Sequence, residues 1–175
     1  MKNVVIAGYA RSPFHFAHKG LLAKVRPDDL AAQVVRGLID RTGVNVDDIE
    51  DLILGCAFPE GEQGFNMARL VVLMAGLPIS VAGTTINRFC GSSMQSIHNA
   101  AGAIQMNAGE VFICAGVESM SRVPMGSDGG AWAGDPETNY RIGFVPQGNR
   151  FDTGDLHGWV ENFEGKPGFR AARLP

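Results

Sequence analysis

The feature that most constrains the fold of this chain is a regular alternation of short apolar segments with longer segments of helical periodicity between Met1 and Pro124. Such alternation is typical of an α/β fold, in which helices cover a mostly parallel sheet. Right-handed crossovers then put the helices on the faces of the sheet. The strands are predicted at Asn3–Gly8, Leu52–Leu54, Val81–Ile86 and Val111–Ala115.

The predicted helices lie between these strands. Pro27 is followed by the carboxylates Asp28 and Asp29, which together favour the first turn of a helix, and Gly43 favours its end. Two later segments also show helical spacing: Asn66–Ala75 and Gly91–Asn107. One face of the last segment collects four apolar residues: Met94, Ile97, Ala101 and Ile104.

The composition excludes several classes of partner. With 45% hydrophobic and 19% charged residues among 175, the chain has the make-up of a globular domain with a sizeable core. Its net charge is −3 and it has no basic cluster, so we expect no nucleic-acid partner. The apolar run near the N-terminus is too short for a signal peptide or a bilayer span. We therefore expect no membrane association and a cytoplasmic location.

The three cysteines, Cys56, Cys90 and Cys114, are odd in number and follow no metal-ligand spacing. Reduced thiols in a cytosolic protein are the simplest account, and no metal is predicted. Cys56 is expected to end a strand and to pack. Cys114 is expected to be a small core residue within a buried strand.

Cys90 is the strongest candidate for chemistry, because it lies where the third predicted strand ends and the third predicted helix begins. A thiol there lies among unpaired backbone N–H groups at the positive end of the helix dipole, which favours the thiolate. The same groups, the N–H of Cys90 included, can hold the oxyanion formed when a thioester carbonyl is attacked. Gly91 leaves room for a substrate, and Ser92 and Ser93 can cap the first turn. The alternative is an inert, buried cysteine.

Several ordered motifs between Lys2 and Gly148 resemble the thiolase family, the acyl-CoA:acetyl-CoA C-acyltransferases. In that family an Asn-Arg-x-Cys segment carries the nucleophile, and a Glu-Ser-Met-Ser element follows a later strand. The corresponding residues here are Asn87, Arg88 and Cys90, then Glu118, Ser119, Met120 and Ser121, preceded by Arg11, Ser12 and Pro13 and by Gly64, Asn66, Ala68 and Arg69. The Cys-Gly-Ser-Ser-Met form is closer to the degradative 3-ketoacyl-CoA thiolases than to the biosynthetic branch.

The resemblance implies a reaction and its substrates. In that family the cysteine attacks the keto carbon of a 3-ketoacyl-CoA, acetyl-CoA leaves, and free CoA then takes the acyl group. Coenzyme A thioesters are thus substrates, and no resident cofactor is expected. The remaining groups of the site lie in the second half of the family's chain, in an Asn-Glu segment, a Gly-His-Pro histidine and a Cys-x-Gly cysteine. None of these is recognisable here.

The four histidines offer no replacement. His98 lies about 12 Å along the predicted helix from Cys90, too far to take its proton directly. His15 and His18 belong to an early connection and are expected at the surface, and His157 lies in the tail. Cys114, although followed by Ala115 and Gly116, is interpreted as a core residue and not as the Cys-x-Gly cysteine.

The chain is predicted to divide after Pro124. Residues 1–124 form the N-terminal α/β domain, and residues 125–175 are rich in Gly, Pro, Asp, Asn and Arg. Tyr140–Gly148 resembles the start of the family's loop domain. The residues after it form an atypical tail, which we interpret as the mark of a truncated or frame-shifted product or of a deliberately short one.

Three hypotheses stay open. The first is a degradative thiolase that is active only when a companion chain supplies the second half. The second is a non-catalytic, thiolase-like fragment that self-associates or binds acyl-CoA. The third is a condensing enzyme of the ketoacyl-synthase type, against which the Asn-Arg and Glu-Ser-Met-Ser elements argue. For the first two, we expect a homo-oligomer or a companion chain carrying the second half.

Overall fold

The computed structural model describes residues 2–123, and it arranges them as a parallel sheet with helices packed against it. The strands are β1 (Ile49–Gly55), β2 (Ala82–Ile86) and β3 (Val111–Gly116). The helices are α1 (Pro27–Thr42), α2 (Met67–Met74) and α3 (Ser92–Gln105), with short 3-10 turns at Leu21–Lys24, Val46–Asp48 and Gly61–Gln63. The sheet order is β2-β1-β3, and both pairings are parallel. The predicted α/β fold with a mostly parallel sheet is confirmed.

Helix α1 begins and ends where its local signals predict. Pro27 occupies the first turn, where its missing N–H costs no hydrogen bond, and two carboxylates follow it. Gly43 ends the helix in the left-handed conformation with φ of 66°, and its N–H donates to the carbonyl of Ile39 at 2.9 Å. The buried face of α1, with Ala32 and Val35, packs against the core.

The two faces of the sheet are covered by different helices. Leu52 and Leu54 of β1 belong to the core cluster together with residues of α1 and α2. Ile53 lies between them in sequence and therefore points to the opposite face, where its neighbour in β3 is Cys114. That face is the one against which α3 packs, because the thiol of Cys114 donates to the carbonyl of Ser96 in α3 at 3.5 Å.

The apolar face predicted for α3 is not the face that meets the sheet. The buried residues of α3 are Ser92, Ser96 and Ala100, whereas Met94 is 56% and Ile97 is 41% exposed. Small side chains let the helix lie close to the sheet, and the larger apolar side chains are left on the outer surface. The predicted helix is confirmed, and the structure shows that a different face of it, formed by small residues, packs against the sheet.

The predicted first strand, Asn3–Gly8, is not a strand in the structure. Its apolar residues are exposed, Val5 at 77% and Ile6 at 76%. A β-strand needs a hydrogen-bonded neighbour, and within residues 2–123 the sheet ends at β3 without pairing this segment. The segment is held at its beginning by Gln105, whose side chain binds both the N–H and the carbonyl of Lys2.

The other predicted strands lie where expected, with β1 longer at both ends than the predicted Leu52–Leu54. The predicted region 125–175, including Tyr140–Gly148 and His157, lies outside the described residues. Within residues 2–123, no helix is both long enough and apolar enough to cross a membrane.

Candidate functional site

The three parallel strands end side by side, which brings three loops together at one edge of the sheet. Gly55, at the end of β1, is in register with Ile86 of β2 and with Gly116 of β3. The pairing continues one residue further, since Cys56 N–H donates to the Ile86 carbonyl at 3.0 Å and Val117 N–H donates to the Gly55 carbonyl at 3.1 Å. The loops that follow these strands therefore share one edge of the sheet.

Cys90 lies in the loop between β2 and α3 and is exposed to solvent. The next residue, Gly91, caps α3, which begins at Ser92. The predicted position of Cys90 between a strand and a helix is thus confirmed. Its role as a nucleophile stays a prediction.

The backbone round Cys90 is a tight turn whose polar groups are largely occupied. The N–H groups of Gly91 and Ser92 donate to the carbonyls of Arg88 and Phe89, each at 3.0 Å. The Ser92 hydroxyl accepts from the Arg88 N–H at 2.8 Å and donates to the Phe89 carbonyl at 2.6 Å. Ser92 therefore stabilises the turn before α3, and does not cap the helix as predicted. The N–H of Cys90 as an oxyanion donor stays a prediction.

Two glycines let the first turn of α3 lie directly over the ends of the strands. A Cβ atom at Gly55 would lie 2.3 Å from the carbonyl carbon of Ser92, and one at Gly116 would lie 2.5 Å from Cβ of Ser93. Side chains do not approach that closely, so a larger residue at either position would displace the helix. The sequence analysis missed this role, although the glycines that end β1 and β3 were a visible signal.

Phe89, next to the candidate nucleophile, adopts a left-handed backbone conformation with φ of 47°. This conformation is uncommon for a bulky residue and is costly unless the surroundings hold it. Its N–H donates to Oδ1 of Asn87 at 2.8 Å, and its ring lies 6.3 Å from that of Phe58 between centroids. Asn87 also donates from Nδ2 to the carbonyl of Ala57 at 3.0 Å. Asn87 thus links the Cys90 loop to the loop after β1.

Hydrogen bonds of Glu118 and Gln63 join the loops after β1 and β3, a structural role that the sequence analysis missed. The Glu118 carboxylate accepts from Nε2 of Gln63 and from the N–H of Ala57, both at 2.7 Å. Gln63 is fully buried, and its Oε1 accepts from the N–H of Ser119 at 2.6 Å. The Glu-Ser element of the motif therefore forms hydrogen bonds within the domain.

The other two cysteines differ from each other. Cys56 follows β1 and is 1% exposed, as predicted, and burial together with the nearby charge of Glu118 raises the pKa of its thiol to about 12. Cys114 lies on β3, which is an outermost strand of the described sheet. Its side chain is exposed, so the prediction of a buried core residue is wrong. The atoms packed round its sulfur still desolvate it enough to raise the pKa of the thiol.

The remaining motif residues are structural or exposed. Asn66 caps α2 and donates from Nδ2 to the Gly83 carbonyl at 2.6 Å, while Arg69 donates to the carbonyls of Ile79 and Val81. This stretch therefore anchors α2 to β2. The predicted surface histidines His15 and His18 are exposed, as are His98 and the segment Arg11–Pro13 except for half-buried Ser12. Among residues 2–123, no three His, Cys, Asp or Glu side chains are grouped to hold a metal ion.

Comparison with known proteins gives consistent matches. The family described as "Thiolase, N-terminal domain" matches residues 4–144. A 3-ketoacyl-CoA thiolase of Bacillus subtilis (strain 168) is 51% identical over 125 residues, covering 71% of this chain and 32% of that protein. A 3-ketoacyl-CoA thiolase of Aliivibrio fischeri is 48% identical over 126 residues, covering 71% and 33%.

A crystal structure of the Bacillus anthracis acetyl-CoA acetyltransferase matches with a TM-score of 0.65 and 40% identity. The match covers 69% of this chain and 30% of that one. The chain thus spans about a third of the length of the relatives that it matches. The family match covers most of the chain, and the parallel sheet lies within it, so the chain belongs to the thiolase family and corresponds to its N-terminal domain.

Proposed function

We propose that this chain supplies the acyl-accepting part of a thiolase site, with Cys90 as the nucleophile. The observation that supports it most is the position of Cys90, an exposed thiol separated from α3 only by Gly91, at the edge where three parallel strands end. The other two thiols are less suited to attack, because the pKa of each is raised. Ligands of parallel α/β sheets commonly bind outside the carboxyl ends of the strands, which is where Cys90 lies.

The proposed reaction has two steps. The Cys90 thiolate attacks the keto carbon of a 3-ketoacyl-CoA, and the bond to the neighbouring carbon breaks, which leaves the acyl group on sulfur. The departing enolate of acetyl-CoA takes a proton and leaves as acetyl-CoA. The thiol of a second CoA then gives up its proton and attacks the acyl-cysteine, so the shortened acyl-CoA forms and the Cys90 thiolate returns. Degradation of fatty acids in the cytoplasm is the setting we infer.

This chain alone is expected to carry out only part of that sequence. The reaction needs an acid for the enolate and a base for the incoming CoA thiol, and each such group typically contributes about 10²- to 10⁴-fold. The resemblance assigns those groups to the half of the family's chain that lies beyond the matched segment. Steady-state cleavage by the isolated chain should therefore fall below detection.

The test compares the chain alone with a mixture containing a second chain that comprises the rest of the Bacillus subtilis relative. Each sample is incubated with acetoacetyl-CoA, and peptides are mapped by mass spectrometry for an acetyl adduct. The expected result is an adduct on Cys90, absent from Cys90→Ala, with CoA-dependent turnover only in the mixture. Cys56 and Cys114 act as internal controls. An adduct confined to Cys114, or none on Cys90 in an assembled mixture, would contradict the proposal.

A second function, a non-catalytic fragment that self-associates or binds acyl-CoA, has one observation in its favour. The outer face of α3 exposes Met94 and Ile97, an apolar surface of the kind that another chain covers. The same mixture separates the two functions. A stable complex that binds acetoacetyl-CoA, forms no adduct and turns nothing over would support the second.

A further inference from the structure

Two polar residues outside the proposed reacting atoms bind the same residue of the β1 loop from opposite sides. Ala57 is 9% exposed, its N–H donates to the Glu118 carboxylate at 2.7 Å, and its carbonyl accepts from Nδ2 of Asn87 at 3.0 Å. Ala57 therefore has both backbone polar groups occupied by side chains from the loops that follow β3 and β2. Its position depends on Glu118 and Asn87 together.

The Glu118 carboxylate, which accepts from the Ala57 N–H, is itself held in place by hydrogen bonds. Its second carboxylate oxygen accepts from Gln63 at 2.7 Å, and Gln63 is fully buried and also binds the Phe58 carbonyl and the Ser119 N–H. A hydrogen bond to a carboxylate is stronger than one between neutral groups. Glu118 and Gln63 thus hold the Ala57 N–H in place.

Asn87 connects Ala57 to Phe89, the residue before Cys90. Its Nδ2 is fixed by Ala57, and its Oδ1 accepts from the Phe89 N–H at 2.8 Å. Asparagine commonly binds the backbone two residues further on, and the bond here stabilises Phe89 at its positive φ of 47°. If Phe89 relaxed to a negative φ, the chain direction at Cys90 would change and the thiol would point elsewhere.

We propose that Asn87 and Glu118 are positioning residues that act through Ala57 to hold the Cys90 loop in one conformation. The inference rests on the proposed function only in taking Cys90 as the nucleophile. Neither residue needs to touch the substrate. Their effect is on the fraction of molecules in which the thiol has the geometry seen here.

The test measures the rate of alkylation of Cys90 by iodoacetamide as a function of pH in the folded 175-residue chain. The variants are Asn87→Ala, Glu118→Ala and the double variant, with Asn45→Ala as the matched control. Asn45 lies before β1, at the opposite end of the sheet from Cys90, and its Oδ1 likewise accepts from the N–H two residues further on, that of Asp47. Urea unfolding of each variant separates a local change at Cys90 from a loss of stability.

We expect Asn87→Ala to lower the Cys90 alkylation rate by about tenfold at each pH, because one or two hydrogen bonds that hold the loop are lost. Asn45→Ala should leave the alkylation rate unchanged. If both residues act through Ala57, the double variant should resemble the more affected single variant, since coupled residues are not additive. Effects that multiply, or an Asn87→Ala rate within twofold of the unchanged chain, would overturn the proposal.

Glu118→Ala removes one of the hydrogen-bond partners of the buried Gln63 side chain and so can reduce folding, which makes Glu118→Gln the second variant. It keeps an oxygen for the Ala57 N–H but removes the charge, and a partial effect in the same direction is expected. An unchanged alkylation profile in folded Glu118→Gln together with unchanged Asn87→Ala refutes the proposal. Alkylation needs no acyl transfer, so this result is independent of whether the proposed thiolase reaction occurs.

Discussion

Replacing Gly55 by alanine should destabilise the domain, whereas the same replacement at Gly102 of α3 should not. At Gly55 the new Cβ would lie 2.3 Å from the carbonyl carbon and 2.7 Å from the carbonyl oxygen of Ser92, and 2.4 Å from the nitrogen of Ser93. All three are backbone atoms of the first turn of α3, which cannot rotate away as a side chain can. To restore ordinary contact the helix must move by about 1 Å, a displacement that can itself cost a catalytic site about 10²-fold.

The expected cost is about 1–3 kcal/mol, the usual range for an extra methyl group forced into a packed interior. With a urea m-value of about 1–3 kcal/mol per M, the unfolding midpoint should fall by roughly 1 M. Gly102→Ala is the matched control, because Gly102 lies within the same helix and a Cβ there would meet nothing within 4 Å. Alanine is favoured over glycine inside a helix by about 0.5–1 kcal/mol, so this variant should be more stable.

The assay is urea unfolding of the two variants and the unchanged chain, followed by circular dichroism at one protein concentration. The two alanine substitutions should move the midpoint in opposite directions. Cys90 alkylation, measured in parallel, should change in Gly55→Ala and stay constant in Gly102→Ala. If Gly55→Ala proves as stable as Gly102→Ala, the close approach of α3 to the sheet is not a constraint, and the account of the site must be abandoned.

Two further predictions concern acid stability and assembly. Burial alone would raise the pKa of Asp28, but the hydrogen bonds from Arg26 and from the Asp29 N–H outweigh burial and lower that pKa below 3.8. The hydrogen bond from Arg122 lowers the pKa of Glu62 below 4.5. Both groups therefore stabilise the fold fully above those values, and this contribution is lost as the pH falls through the folded-state pKa. The urea midpoint should drop as the pH is lowered from 7 to 3. The drop should be smaller in Asp28→Asn than in the unchanged chain. The exposed apolar face of α3 and the unpaired N-terminal segment should make the chain self-associate or bind a companion chain. Size-exclusion chromatography with light scattering measures the molecular mass, and a stable monomer would contradict this prediction.

The sequence by itself determined the elements that depend on local signals. The first turn of α1 at Pro27, its end at Gly43, the parallel α/β alternation and the position of Cys90 between a strand and a helix all follow from residues near each other in the chain. Helix periodicity and capping act within a few residues, so they can be identified without knowing what packs where. The motif round Cys90 likewise identified the family, which the comparisons confirmed.

Only the tertiary structure decided which faces are covered and which groups meet. Asn3–Gly8 has the apolar pattern of a strand, but a strand forms only when another strand lies beside it, and the described part of the sheet leaves it unpaired. The apolar residues of α3 were predicted to share one face, but periodicity records only which residues share a face and not which face meets the sheet. The link from Glu118 through Ala57 to Asn87 joins residues far apart in sequence, and the parallel strands bring them together because all three end at one edge.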